Sequence, residues 1–352
     1  MGFPKPWPTE WPEPYPYPPY YLPDEEDNPD EERKEDQKLP PEELPFPFPI
    51  PEFRRQFCSV TWAVNHACNL HCTHCYDVVP YRRYDLSTAE ALEVIDRLYA
   101  AGVTFIAFSG GEAFLRKDLF ELMAHCRQRG MDFGARSNGT RITRVVARRL
   151  KELGIAVVGV SFDGATPATH DAVRGPGGFQ AALTGLQALR AEGIRAQMEV
   201  VLSRQNAHEA LAFIELGEAV GASEVNFSAM TPNGRGRQRL DDLLDHQLWQ
   251  QLTQTLQAAS RQACIPVTPN CAFLGACCVN IEPHVTCDGW MTPCYLSPVK
   301  LFNILNTPAE AIRERLERDR LNYQDVCGRR QWTQLAHHSL STSISLMMEN
   351  TA

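Results

Sequence analysis

From Cys58 onward, apolar residues along the chain fall into two alternating rhythms. Short unbroken apolar runs, bounded by Gly, Ser, Asn or Asp, read as strands: "CSVTWAV", "VTFIAFSGG", "MDFGARSN", "AVVGVSFDG", "RAQMEVVLS" and "SEVNFSAM". Between them, apolar residues recur at helical spacing. "STAEALEVIDRLYAAG" predicts a helix with a capping box, Ser87 and Glu90, and an apolar stripe through Leu92, Ile95 and Leu98. Further helices are predicted at about 117–129, 143–152, 178–191 and 207–220, and a long polar one in "DDLLDHQLWQQLTQTLQAASRQA".

Six strands alternating with helices imply an α/β domain with a parallel sheet covered by helices. Unbroken apolar strands suit a sheet buried on both faces. Six repeats predict a partial (βα)6 barrel, whose functional residues belong at the C-terminal ends of its strands. Polar, glycine-rich and cysteine-bearing stretches fall at four such ends in succession. Cys68, Cys72 and Cys75 follow the first strand, and Ser109, Gly110, Gly111 and Glu112 follow the second. "SNGT" with Asn138 ends the third, and "SFDG" with Ser161 and Asp163 ends the fourth. That coincidence predicts a single site.

Composition changes the picture mainly before the first strand. Residues 1–57 hold 16 of the 26 prolines, and 14 Asp/Glu against 6 Lys/Arg, a net −8 of the chain's −9. Proline removes backbone donors and the acidic block repels itself, so the segment predicts a disordered tail, with an extended docking arm as the alternative. The rest of the chain is nearly neutral, which argues against nucleic-acid or anionic-membrane binding. There is neither a membrane-length apolar run nor the pattern of a signal peptide, so a cytoplasmic protein is expected. Twelve cysteines in such a chain point to metal or redox chemistry rather than disulfides.

In "HACNLHCTHCYD" the spacing C-x3-C-x2-C leaves a tetrahedral metal, or a four-iron cluster, one ligand short. A structural zinc would add one of His66, His71 or His74. A cluster would leave its fourth iron open to a substrate or cofactor. The zinc reading leaves the glycine-rich and acidic residues at the same barrel end without a purpose.

C-x3-C-x2-C after the first strand, with "SGGE" after the second, resembles the radical S-adenosylmethionine (SAM) enzymes over about residues 61–237. The resemblance implies that Cys68, Cys72 and Cys75 bind a 4Fe–4S cluster whose open iron is chelated by SAM. An electron from the cluster then cleaves SAM to methionine and a 5′-deoxyadenosyl radical, which abstracts hydrogen from a substrate. Gly110 and Gly111 are expected to let the backbone approach the methionine part of SAM. Glu112 is expected to accept a hydrogen bond from its ammonium group. Asn138, Ser161 and Asp163 match positions that bond the ribose and the methionine carboxylate, and Arg174 an arginine that pairs that carboxylate. Tyr76 matches the position whose backbone meets the adenine, and His74 an aromatic position that packs by the cluster.

Cys278, Gly289 and Cys294 form a C-x10-G-x4-C pattern similar to the SPASM/twitch extension of this family. It implies an auxiliary 4Fe–4S cluster, with Cys271, Cys294 and Cys327 as ligands and either Cys277 or Cys278 as the remaining one. No further cysteine group follows Cys327, so one auxiliary cluster is expected. Cys264 and Cys287 stay unassigned, Cys287 as an alternative ligand or a substrate-facing thiol; Cys58 and Cys126 read as small buried apolar residues. The implied organisation is a tail over 1–57, a barrel over 58–240, a linker helix and auxiliary-cluster extension of α+β character over 241–330, and a C-terminal tail over 331–352.

Three activities remain. The first is radical modification or crosslinking of a peptide or protein, which implies a precursor peptide, an electron donor such as flavodoxin or ferredoxin, and a separate recognition protein, since a proline-rich tail cannot form a leader-binding domain. The second is tetrapyrrole side-chain chemistry, which "TWAVNHACNLHCTHCYD" and "PNGRGR" also resemble. The third, a non-catalytic iron–sulfur or zinc protein, does not need Glu112, Asn138 and Asp163.

Overall fold

The computed structural model describes residues 59–77, 84–269, 283–297 and 299–318. The two tails read from the sequence lie outside the described residues, as do Cys58, Cys271, Cys277, Cys278 and Cys327.

The six expected strands form in order: β1 (Ser59–Ala63), β2 (Phe105–Ser109), β3 (Asp132–Ser137), β4 (Val157–Phe162), β5 (Ala196–Leu202) and β6 (Glu224–Ala229). Each pairs in parallel with the next, with Ala63 opposite Ser109, Phe108 opposite Ala135, Ser137 opposite Val160, and Ser161 opposite Glu199. The connecting helices are α1 (Thr88–Ala100), α2 (Leu119–Gln128), α3 (Arg144–Glu152), α4 (Pro167–Arg174), α5 (Gly178–Ala191) and α6 (Ala210–Val220). Helix α1 carries the predicted capping box, and its buried stripe is Ala91, Val94, Ile95 and Leu98.

Helix α4 escapes the periodic reading because eight residues bury only His170 and Val173. Its start is nevertheless written locally. Thr166 caps the Thr169 amide, Pro167 occupies the first turn, and Gly175 at φ +106° ends the helix.

The sheet runs on at both sides. β7 (Val267–Pro269), after helix α7 (His246–Ala259), adds a parallel strand to β6, and β8 (His284–Val285) pairs in parallel with β1. β9 (Trp290–Thr292) and β10 (Phe302–Asn303) extend it antiparallel, and α8 (Ala309–Arg318) packs on α1 through Arg313. The order is β10-β9-β8-β1-β2-β3-β4-β5-β6-β7, an open sheet in which β1 and β6 do not meet.

The two faces differ. Under the helices lie Val60, Trp62, Phe108, Phe133, Phe162, Met198 and Phe227, all fully buried, with Trp62, Phe108 and Phe133 in a continuous ring contact. The face turned away from the helices carries small residues on the early strands, including Ala63, Ala107, Gly134 and Gly159. On β5 and β6 it carries Gln197, Glu199, Glu224, Asn226 and Ser228, all partly exposed. A closed barrel core is filled with branched apolar side chains. Here the polar half and the open sheet leave an interior suited to a polar occupant. Among the described residues, no helix is long and apolar enough to cross a membrane.

Candidate functional site

The parallel pairing of β1 with β2 does not stop at the strand ends. Val64 N donates to Ser109 O at 2.9 Å, Gly111 N to Asn65 O at 3.0 Å, and Glu112 N to Ala67 O at 2.8 Å. The Asn65 amide returns a bond to Glu112 O at 2.9 Å. The start of the cysteine loop is thereby laid against the glycine pair. A Cβ on Gly110 would sit 2.4 Å from Asn65 O, and one on Gly111 2.4 Å from Ala67 O. Gly110 also holds φ +140°, which side-chain-bearing residues rarely adopt. The crowding that demands glycine thus comes from the chain's own cysteine loop, a reason the sequence did not disclose.

Glu112 is buried, and its carboxylate takes Ser137 Oγ at 2.8 Å, the Asn138 amide at 2.8 Å and the Phe114 amide at 3.2 Å. Burial raises its pKa, against the lowering effect of these donors. A carboxylate has about four lone-pair sites, so one further donor can be accepted. Asn138 is similarly engaged. Its Nδ2 donates to Asn69 Oδ1 at 3.0 Å, inside the cysteine loop, while Oδ1 accepts from Thr140 N and Oγ1.

The end of β4 holds a charged cluster. Asp163 is completely buried, with Arg174 Nε donating to Oδ2 at 2.5 Å and His74 Nε2 2.8 Å from the same oxygen. Burial raises the Asp163 carboxyl, but the Arg174 guanidinium beside it, with the bond to His74, holds it well below the usual range. Among the described residues its Oδ1 has no hydrogen-bond partner. Asp163 N donates to His170 Nδ1, and His170, wedged between Phe162 and Phe179, has its pKa pushed down to about 4 by burial. His74 meets Asp163, and Arg174 is a buried residue at the end of α4. A histidine in a position expected to be aromatic was the available sign.

Arg235, in "PNGRGR" after β6, was not singled out from the sequence. Its Nε donates to Cys72 O at 2.8 Å and its amide to Cys75 O at 2.9 Å. A Cβ on the preceding Gly234 would meet Cys75 O. Asn233 reaches Leu296 O at 2.8 Å, and Tyr76 packs edge-on against Tyr295, so residues beside Cys294 adjoin the cysteine loop. The Tyr76 hydroxyl also bonds to Ser109, and burial raises its pKa. The Tyr76 side chain is thus structural, beyond the backbone role expected of it. Ser161 sits half-exposed on the helix-free face opposite Glu199.

Burial raises the thiol pKa of Cys68, Cys72 and Cys75, that of Cys75 to about 11, while Arg174 or Arg235 acts to lower each. A tetrahedral zinc brings its sulfurs to about 3.8 Å of one another, from Zn–S bonds of about 2.3 Å. Among the described residues, Cys68, Cys72 and Cys75 are not a group with ligand atoms within 4.8 Å of one another, with or without a histidine. Of the five cysteines expected to serve the auxiliary cluster only Cys294 is described, and both it and the unassigned Cys287 are buried. Cys126 is a core thiol, pushed up to about 12 by burial, and Cys264 is exposed.

Residues 62–217 match the family model described as the radical SAM superfamily. Fe-coproporphyrin III synthase of Methanosarcina barkeri is 39% identical over 186 residues, covering 52% of this chain and 46% of that protein. Mycofactocin maturase MftC of Mycobacterium tuberculosis is 34% identical over 204 residues, covering 55% and 52%. The chain spans about half the length of the curated relatives it matches. Among solved structures, anSMEcpe with bound AdoMet gives a TM-score of 0.60 at 18% identity, over 77% of this chain and 88% of that one. Streptococcus suis SuiB bound to precursor peptide SuiA gives 0.62 at 12%, over 78% and 70%. At these identities the likeness is one of fold, the expected partial barrel.

Proposed function

Because residues 62–217 belong to the radical SAM superfamily, we infer that this chain holds a 4Fe–4S cluster on Cys68, Cys72 and Cys75, cleaves SAM reductively, and modifies or crosslinks a peptide or protein. When bound, cluster and SAM together supply hydrogen-abstracting radical chemistry. The chain's own residues position them. Asp163 and His74 orient Arg174 so that its remaining guanidinium donors pair the SAM carboxylate. Glu112 offers its last acceptor site to the ammonium group. Ser109, Gly110, Gly111, Asn138, Ser161 and the Tyr76 backbone complete the set assigned to SAM. Cys294, with Cys271, Cys327 and either Cys277 or Cys278, holds an auxiliary cluster in an extension over 241–330, next to a barrel over 58–240. An electron donor such as flavodoxin or ferredoxin, a precursor peptide and a separate recognition protein are the partners this reading requires.

The observation that carries the peptide reading is the helix-free face of β5 and β6. Gln197, Glu199, Glu224 and Asn226 give it carboxylates and carboxamides, which suit amide and cationic groups and repel a polycarboxylate. MftC and SuiA-bound SuiB, a maturase and a protein bound to a precursor peptide, agree with it. Tetrapyrrole chemistry is the second reading, favoured by the 39% identity to Fe-coproporphyrin III synthase.

The test is anaerobic reconstitution followed by dithionite-driven formation of 5′-deoxyadenosine. The parent is expected to carry about eight irons and the variant with Cys68, Cys72 and Cys75 all changed to Ala about four, with no cleavage. A fully loaded, reduced parent that leaves SAM intact refutes the assignment. Side-chain cleavage of an added siroheme-type tetrapyrrole, with Fe-coproporphyrin III formed, would move the substrate to the second reading.

A further inference from the structure

Away from the three cluster cysteines, three side chains from distant parts of the chain converge. They are His66, at the start of the cysteine loop, Asp85, just before α1, and Cys287, in the turn between β8 and β9. One ligand atom from each lies within 4.8 Å of the others. We propose that they form a separate site for a borderline divalent cation, Zn2+ in the first instance, which fastens the β8–β9 turn to the start of the cysteine loop.

The convergence is built by the backbone. His66 N and Nδ1 lie 2.9 and 2.7 Å from Asp85 Oδ1, so this carboxylate is fixed against the imidazole. Leu86 N donates to Cys287 O at 3.1 Å, which ties the turn to the residue following Asp85. Gly289 at φ +81° makes the turn possible. Cys287 is 1% exposed, whereas the His66 side chain is 51% exposed. The thiol is therefore covered while the imidazole leaves a way in for an ion.

The donor set selects the ion. A thiolate, a carboxylate and a neutral imidazole sum to charge −2, which a divalent cation neutralises. Sulfur and nitrogen donors favour zinc and its transition-metal neighbours over Mg2+ or Ca2+. Tetrahedral zinc places its nitrogen and oxygen donors about 3.3 Å apart and its sulfur about 3.6 Å from each. The His66–Asp85 pair must open by roughly 0.6 Å and the thiol close by up to about 1.2 Å, adjustments within side-chain rotation. Three protein donors leave a fourth position for water. The site uses none of the residues assigned to the SAM cluster under the proposed function, and Cys287 is only an alternative ligand of the auxiliary one, so its failure leaves the SAM chemistry standing.

The experiment measures zinc, iron and sulfide in the full chain, reconstituted anaerobically with iron and sulfide, exposed to equimolar ZnCl2 and desalted. The parent is expected to retain one zinc, lost in Cys287→Ala and in Asp85→Asn, with iron and sulfide at the parent level in both. X-ray absorption at the zinc edge of the parent should give one sulfur among nitrogen and oxygen donors, a readout independent of whether the variants fold. The proposal is overturned if the parent retains no zinc, if Cys287→Ala keeps it, if the zinc has no sulfur ligand, or if Cys287→Ala loses iron and sulfide, which would make Cys287 a cluster ligand.

Discussion

Replacing Gly111 with Ala separates two explanations of the glycine pair. If glycine serves only to admit SAM, the variant folds and loads its cluster normally and is impaired only in binding SAM. The geometry requires otherwise. The new methyl would lie 2.4 Å from Ala67 O, 2.6 Å from Ala67 C and 2.7 Å from His66 O, all backbone atoms that no rotamer change can remove. Relief to ordinary contact demands a shift of about 1 Å, which forfeits the bonds from Gly111 N to Asn65 O and from Glu112 N to Ala67 O. Two lost hydrogen bonds at about 1 kcal/mol each, with overpacking of about 1–3 kcal/mol, give a loss of about 3–5 kcal/mol. In a domain of this size that corresponds to about 6–20 °C. Because Cys68 follows Ala67 directly, the same shift moves the first of the proposed cluster ligands. The assay is thermal unfolding of parent and G111A without SAM at one fixed scan rate, with iron content after reconstitution. An unchanged midpoint and full iron in G111A would refute the steric argument and return the glycine's role to the ligand.

The buried ion pair and the buried histidine give two more tests. Asp163→Asn leaves the Arg174 guanidinium buried without a countercharge and should cost about 3–5 kcal/mol in urea unfolding; a cost below about 1 kcal/mol would mean that Arg174 reaches solvent or another anion. His170, held near pKa 4 in the fold and titrating near 6.5 when unfolded, makes the unfolded chain bind more protons between those values. Stability from this group is therefore full above pH 6.5 and falls on acidification toward pH 4. Relative to His170→Gln, the parent should lose about 2 kcal/mol between pH 7 and pH 5, and a difference that stays constant would show that His170 accepts its proton in the fold.

What could be read along the chain was whatever is written within a few residues. Unbroken runs placed all six strands, and Ser87 and Glu90 placed the start of α1. Two- and three-residue strands such as β7 to β10 leave no periodic trace, so the continuation of the sheet was invisible. The same holds for contacts between remote residues. Nothing local pairs His74 with Asp163, 89 positions away, or Arg235 with Cys72, 163 away. The glycine pair was legible as a requirement but not as a reason, because a spacing motif records that a side chain is forbidden without naming what it would strike.

Those remote contacts explain how so polar a cysteine loop can hold one shape. Each short interval of it is gripped by a different strand end. Asn65 and Ala67 are bonded by the β2 loop, and Asn69 by Asn138 after β3. Thr73 N donates to Val173 O in α4, His74 meets Asp163 after β4, and the carbonyls of Cys72 and Cys75 are taken by Arg235 after β6. A loop with few buried apolar groups cannot be ordered by packing, and the conformational entropy it surrenders must be offset by bonds. Distributing those bonds over the ends of four strands fixes the backbone around the three thiols. Among the described grips, those on Thr73 and His74 depend on the short helix α4 and on the charge of Asp163. Disturbing that pair should therefore loosen Cys72 and Cys75 before it disturbs Cys68, which is held through Ala67 and Asn69.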